Sequence, residues 1–131
     1  MKKEELITVM VIRNGVAKIE KVENTLKTFQ ELVGGYIEIP FISSKLCEKG
    51  IDIIINEEGK LLNLKPSFVV MDGDKLIDVI HGNVIFTSRD SYGNQKSLTK
   101  DQFDYICKLL SKIAGLMLEG EEEQICGVIE F

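Results

Sequence analysis

Imidazole is the side chain on which most acid–base, zinc and iron chemistry near neutral pH is built, and this sequence holds one, His81. A three-His zinc centre or a two-His iron site needs companions that the chain lacks, and a Ser-His-acid triad would have to be built on this single ring. His81 precedes Gly82-Asn83, the composition of a tight connection, where the ring bonds to backbone or faces water. It is therefore not assigned as a base. Asp72, Asp74 and Asp78 are spaced closely enough for a loop to wrap a calcium or magnesium ion. The EF-hand pattern is nevertheless missing, because the sixth position from Asp72 is Ile77 instead of Gly and the twelfth is Asn83 instead of Glu. Solvated turn carboxylates are the simpler reading, and no metal is expected. An enzyme acting on nucleotides through Asp72, Asp74 and a divalent ion stands as the outlying alternative. Glu38, Glu57 and Glu58 could meet as paired acids, but a chain with 21 acids in 131 residues offers such pairs by chance.

Cys47, Cys107 and Cys126 are odd in number, far apart and without a CxxC pair, which supports neither a disulfide framework nor a structural zinc site. Cys107 sits at a helical core spacing. Gly34-Gly35 invites a phosphate-loop reading, yet a phosphate cradle needs glycines before a helix, where free N–H groups and the positive end of the dipole face the anion. These glycines follow a helix, so they read as its stop. Side chains left to meet an anion are Arg13, Lys60, Lys65 and Arg89, with Arg89 and Tyr92 offering a guanidinium fork and a ring close together in sequence.

The elements that would position these groups follow from periodicity. Leu6–Arg13 is apolar and β-branched, Asn14-Gly15 supplies two positive φ angles, and Val16–Lys21 alternates, which predicts a hairpin. Asn24 is the expected cap of a helix over about residues 24–33, with Leu26, Phe29, Leu32 and Val33 on its apolar face and Gly34 beyond it. Strands are expected at Tyr36–Phe41, ended by Pro40, and at Ile51–Ile55, with a loop or helical turn near Ser44–Glu48. Asn56-Glu57-Glu58-Gly59 before Lys60-Leu61-Leu62 has the chemistry of a further hairpin, with Gly59 in the left-handed position. Phe68–Met71 and Leu76–Ile80 flank the turn at Asp72–Asp74, Val84–Ser88 is another strand, and Tyr92-Gly93-Asn94 is a turn. Thr99 and Gln102 form a capping box with Leu98 and Phe103 as the staple. They open a helix over about residues 100–118 whose stripe is Phe103, Ile106, Cys107, Leu110, Ile113, Ala114 and Met117. Ile125–Phe131 can return as a strand after an acidic turn at Glu121–Glu123. The fold class is α+β, a mostly antiparallel sheet covered by two helices, in one domain over residues 1–131.

Composition narrows the partners. A chain of 14.7 kDa with 44% hydrophobic and 28% charged residues is ordinary globular usage. No apolar run approaches the ~20 residues of a membrane span. The net charge of −5 belongs to Glu119, Glu121, Glu122, Glu123 and Glu130; without them the remaining acids match the 16 Lys and Arg. A neutral body has no basic stripe for nucleic acid. Reduced cysteines, and acids at Glu4-Glu5 behind Met1-Lys2-Lys3 where a secretion signal would need apolar residues, point to the cytoplasm.

The run Phe29–Glu38, Asn56-Glu57-Glu58-Gly59-Lys60 with Leu64, Gly82-Asn83-Val84 and Ser97-Leu98-Thr99 resembles one uncharacterised family, the domain of unknown function DUF3846, over about residues 8–110. The chain departs from that family's pattern at Leu64-Lys65-Pro66-Ser67, where Leu-Pro-x-Asn is expected. The resemblance implies an accessory protein of phages, plasmids and other bacterial mobile elements, with a role near host defence, and it brings no active site with it. With no nucleophile–base pair in view, the expected function is a non-catalytic module that binds a small anionic ligand, such as a nucleotide or nucleotide signal, without a cofactor. Tyr36, Asn56, Lys60, Asn83, Arg89 and Tyr92 are its expected contacts. The alternative is a protein-interaction module that binds a host protein, or a second copy of itself, through a strand edge or a helix face.

Overall fold

The structure is a computed structural model that describes residues 5–111 and 127–131. Asn14 and Gly15, at φ 49° and 78°, close the two-residue turn between β1 (Leu6–Arg13) and β2 (Val16–Glu23), which pair in unbroken antiparallel register. The chain then forms α1 (Leu26–Val33), the short β3 (Ile37–Glu38), α2 (Ser44–Glu48) and β4 (Ile51–Asn56). β5 (Pro66–Asp72) and β6 (Lys75–His81) follow as a hairpin, then β7 (Val84–Arg89), β8 (Gln95–Lys96), α3 (Lys100–Ser111) and β9 (Gly127–Glu130). The large sheet runs β2-β1-β7-β4-β3, with β8 joined to the end of β7. The expected α+β class and mostly antiparallel pairing are present, but the strands divide into two sheets: β6-β5-β9 form a second one, and β9 runs parallel to β5. Among the described residues no helix is long and apolar enough to cross a membrane.

Both faces of the large sheet are apolar, and each is covered differently. On one face Ile7, Val9, Val11, Ile54 and Ile85 meet Phe29 and Val33 of α1. The alternate residues, Met10, Ile12, Ile51, Ile53, Val84 and Phe86, meet Phe68, Val70, Ile80 and Ile129 of the small sheet together with Leu46, Ile106 and Leu109 of the other two helices. Phe68 and Phe86 make an edge-to-face contact at 5.5 Å across this interface, and each fully buried ring contributes about 1.5–3 kcal/mol. A period of two on three central strands thus fixes a three-layer order of helix, sheet, then sheet with helices.

Several local expectations change. Thr25, not Asn24, caps α1 by accepting the Thr28 N–H at 3.2 Å, while the Asn24 amide donates to Gln95 O at 2.9 Å. The expected strand at Tyr36–Phe41 is cut to two residues, because Pro40 has no N–H to continue a ladder. Residues 57–63 make no hairpin with β4: Leu62 N–H bonds Glu58 O, Leu64 N–H bonds Gly59 O, and Asn63 at φ 55°, not Gly59, takes the left-handed position. These helical turns carry the chain out of the large sheet and into the small one. At α3 the capping box is in place, with Thr99 N–H to Gln102 Oε1 at 2.8 Å and Gln102 N–H to Thr99 Oγ1 at 3.2 Å. Of the expected stripe, Ile106 is buried and Phe103 and Leu110 pack against the core beside Gln102 and Leu109, whereas Cys107 is exposed. The continuation of that helix to residue 118, with Ile113, Ala114 and Met117, the Glu121–Glu123 turn, Ile125 and Cys126, lies outside the described residues.

Candidate functional site

The site begins at the end of α1, where four carbonyls have no helical partner. Gly34 at φ 80° reverses the chain, and the N–H groups of Gly34 and Gly35 both donate to Gln30 O, at 2.9 and 3.1 Å. Two side-chain amides distant in sequence, Asn56 at the end of β4 and Asn83 between β6 and β7, take the next positions. Asn83 Nδ2 donates to Leu32 O at 2.9 Å and Asn56 Nδ2 to Val33 O at 3.1 Å, while Asn56 Oδ1 accepts the Glu58 N–H at 2.7 Å. A Cβ on Gly35 would lie 3.0 Å from Asn56 Nδ2, so the second glycine makes room for the amide. The motif residues Gly34, Gly35, Asn56 and Asn83 therefore form one structural knot that seats the end of α1 against β4 and β7.

Beside the knot, the segment from Glu57 to Lys65 crosses the sheet ends. Leu64 O meets His81 Nδ1 at 2.8 Å, which places the proton on Nδ1, and Gly82 N–H donates to Lys65 O at 2.8 Å. Gly59 and Gly82 allow the approach, since an added Cβ would come within 2.8 Å of His81 O or of Leu64 Cδ1 respectively. A cleft opens on each side of this segment. The first, about 570 Å³, has Asn14, Asn63, Lys65, Ser67 and Asn83 as its polar wall, over an apolar floor of Ile12, Val33, Leu64 and Pro66, and among the described residues no acid or aromatic ring lines it. Ser67 Oγ donates to Ile80 O at 3.1 Å, which leaves its lone pairs toward other donors. Lys65 is exposed and makes no ion pair among the described residues.

The second cleft, about 470 Å³, is acidic, with Glu38, Glu57, Glu58 and Asp78 facing Lys60 and His81. Lys60 Nζ is held by Asp78 at 2.5 Å. Burial pushes the Asp78 pKa up, but the Lys60 bond, the Val79 N–H and the charges of Lys60 and His81 together leave it below the usual carboxylate value. Arg89 lines a third, smaller cleft with its guanidinium already engaged, 2.6 Å from Asp52 Oδ1 and 2.8 Å from Cys47 O. Burial would lower its pKa, and the Asp52 carboxylate outweighs that and raises it.

The six expected contacts are thus dispersed. Asn56 and Lys60 share the acidic cleft, Asn83 lines the first, Arg89 the third, and Tyr36 and Tyr92 stand at 68% and 89% exposure away from the first cleft. Asp90, beside Tyr92, accepts the N–H groups of Asn94 and Tyr92, which hold its pKa down and close that turn. Asp72 and Asp74 sit at the β5–β6 turn, and among the described residues no three His, Cys, Asp or Glu side chains converge as metal ligands. Asn14, Asn63 and Ser67 were not singled out as contacts by sequence reasoning. They come from the β1–β2 turn, the segment before β5 and the start of β5, with no shared motif, and only the left-handed Asn residues carry a local signal, their tolerance of positive φ.

Over residues 7–111 the chain matches the family model described as domain of unknown function (DUF3846). No curated protein and no solved structure matches it.

Proposed function

We propose that this chain, which belongs to the DUF3846 family, is a non-catalytic module that takes a small anionic ligand, a nucleotide or similar phosphate-bearing molecule, in the cleft beside the end of α1. The observation that supports this reading is the composition of that wall: an ammonium group, three carboxamides and a hydroxyl around about 570 Å³, without a carboxylate among the described residues, on a chain of net charge −5. The volume lies in the range of small-molecule sites, and the nearest alternative cleft is lined by acids that repel an anion. Lys65 supplies the charge, Asn14 and Asn63 supply amide donors, and the aliphatic floor accepts the rest of the molecule. Among the described residues no aromatic ring lines this cleft, so base stacking contributes little and selectivity rests on the phosphate.

A thermal-shift panel of inorganic phosphate, mononucleotides, dinucleotides and cyclic nucleotides tests this. A ligand at 100 times its Kd stabilises by about 2.7 kcal/mol, which at this chain length is roughly 10 °C in Tm. Lys65→Glu is expected to abolish the shift without lowering the unliganded Tm by more than about 2 °C. A panel without any shift, or a shift that survives Lys65→Glu, refutes the assignment.

A further inference from the structure

Among the described residues the two sheets have four outer strands besides the two-residue β8, and three of them are blunted. β3 is two residues long and runs toward Pro40, β9 has four residues, and β6 pairs with β5 through two register shifts. β2 is different: eight residues without Pro, Gly or bulge, joined to β1 alone among the described residues, with Val16 and Ile19 at 53% and 61% exposure. We propose that β2 docks a second copy of this chain, the two strands pairing antiparallel about a two-fold axis through Ile19 so that the large sheets continue into one another.

The backbone parity allows this pairing. A two-residue turn makes Arg13 and Val16 a doubly bonded pair, and the bonds then alternate, so that Val16, Lys18, Glu20 and Val22 spend their N–H and C=O groups on β1. The bond from Asn24 N–H to Glu5 O, 2.9 Å, fixes the same parity at the other end of the ladder. Ala17, Ile19 and Lys21 are left with backbone groups directed outward.

The charges select the register. A two-fold axis perpendicular to a continuous sheet keeps each residue on its own face, so the central register must place one residue opposite itself. Centring on Lys18 opposes two ammonium groups, and centring on Glu20 opposes two carboxylates. Centring on Ile19 sets Ile19 against Ile19, Val16 against Val22 twice, Ala17 against Lys21 twice, and Lys18 against Glu20 twice. These Lys18–Glu20 pairs fall at the non-hydrogen-bonded positions, where opposed side chains approach most closely. Lys18 makes no ion pair among the described residues, while Glu20 is bonded to Arg13 and gains a second cation from the second copy. The recognised partner is thus this chain itself, by β-augmentation.

Sedimentation equilibrium between 5 and 500 µM, combined with amide hydrogen exchange, tests the pairing on the full chain. The expected result is a dimer in which the Ala17, Ile19 and Lys21 amides exchange slowly. Lys18→Glu is expected to weaken association by at least tenfold and to release those three amides while Lys18, Glu20 and Val22 N–H stay protected. The double variant Lys18→Glu/Glu20→Lys restores opposite charges in the same register and is expected to recover the dimer. Ile19→Pro, which removes an outward N–H and the side chain at the axis but no bond to β1, is expected to be monomeric with the hairpin intact. A wild-type monomer at 500 µM, an unrelated protein held on β2 in its place, or a dimer unaffected by both Lys18→Glu and Ile19→Pro overturns the proposal.

Discussion

Replacing Asn56 by Ala should unseat the end of α1, and the size of the effect follows from the bonds lost. Val33 is 3% exposed, so its carbonyl, stranded without the Asn56 amide, costs about 1–3 kcal/mol, and the Glu58 N–H, which water reaches, adds about 0.5–1.5 kcal/mol. The expected loss is about 2–4 kcal/mol in urea unfolding, or roughly 7–14 °C in Tm. Gly35 provides the control. Its φ lies outside the left-handed region, so Gly35→Ala is costly only through the 3.0 Å approach of the new Cβ to Asn56 Nδ2, about 1–2 kcal/mol in the wild type. In the Asn56→Ala background that neighbour is gone, and the same change should be neutral or stabilising by about 0.4–1 kcal/mol. The double-mutant cycle should therefore show a coupling of at least about 1 kcal/mol. Equal costs of Gly35→Ala in both backgrounds, or a loss below about 0.5 kcal/mol for Asn56→Ala, would refute the structural role.

Other perturbations separate the remaining contacts. Asn83→Ala frees the Leu32 carbonyl at a half-buried position, so a smaller loss, about 1–2 kcal/mol, is expected from the same urea assay. Gly127→Ala places a Cβ 2.6 Å from Leu109 O and 2.9 Å from Phe68 Cε1, and should cost more than about 3 kcal/mol; a Tm within 3 °C of wild type would show that β9 and α3 are not packed as described. Asp78 has a folded pKa below its ordinary 3.8, so its pairing with Lys60 stabilises above that pH and is lost as pH falls through the lower folded value. Asp78→Asn should accordingly lower Tm by a degree or two at pH 7, in keeping with ~0.2–1 kcal/mol for an exposed pair, and the difference should shrink as pH falls below 3.8. A difference that persisted at pH 2 would assign the loss to packing.

Which parts of this fold could be read from residue order depends on the range of the interactions. Asn14-Gly15 and the Thr99–Gln102 box are settled by neighbours within four positions, and both are where the pattern places them. Asn24 and Thr25 are both good caps, and a bond from Asn24 to Gln95, 71 residues away, decides between them. The hairpin expected after Asn56 fails for a similar reason: its side chain is drawn to Val33 O, and the following turns carry the chain to a second sheet that no local pattern announces. Of the expected contacts, Asn56 and Asn83 stand out in the sequence because a helix end needs them. The cleft itself is assembled from three connections and the ends of β1, α1 and β5, and composition along the chain carries no record of that meeting.

The parallel pairing of β9 with β5 has a consequence for synthesis. The strands of the large sheet are all translated by Lys96, yet Phe68, Val69 and Val70 lack their neighbour until Gly127–Ile129 leave the ribosome. At 5–20 residues per second that interval is roughly 2–6 s, long against the folding of a small hairpin. During it β5 stays open along the side that β9 later fills, so the second sheet closes well after the first is complete.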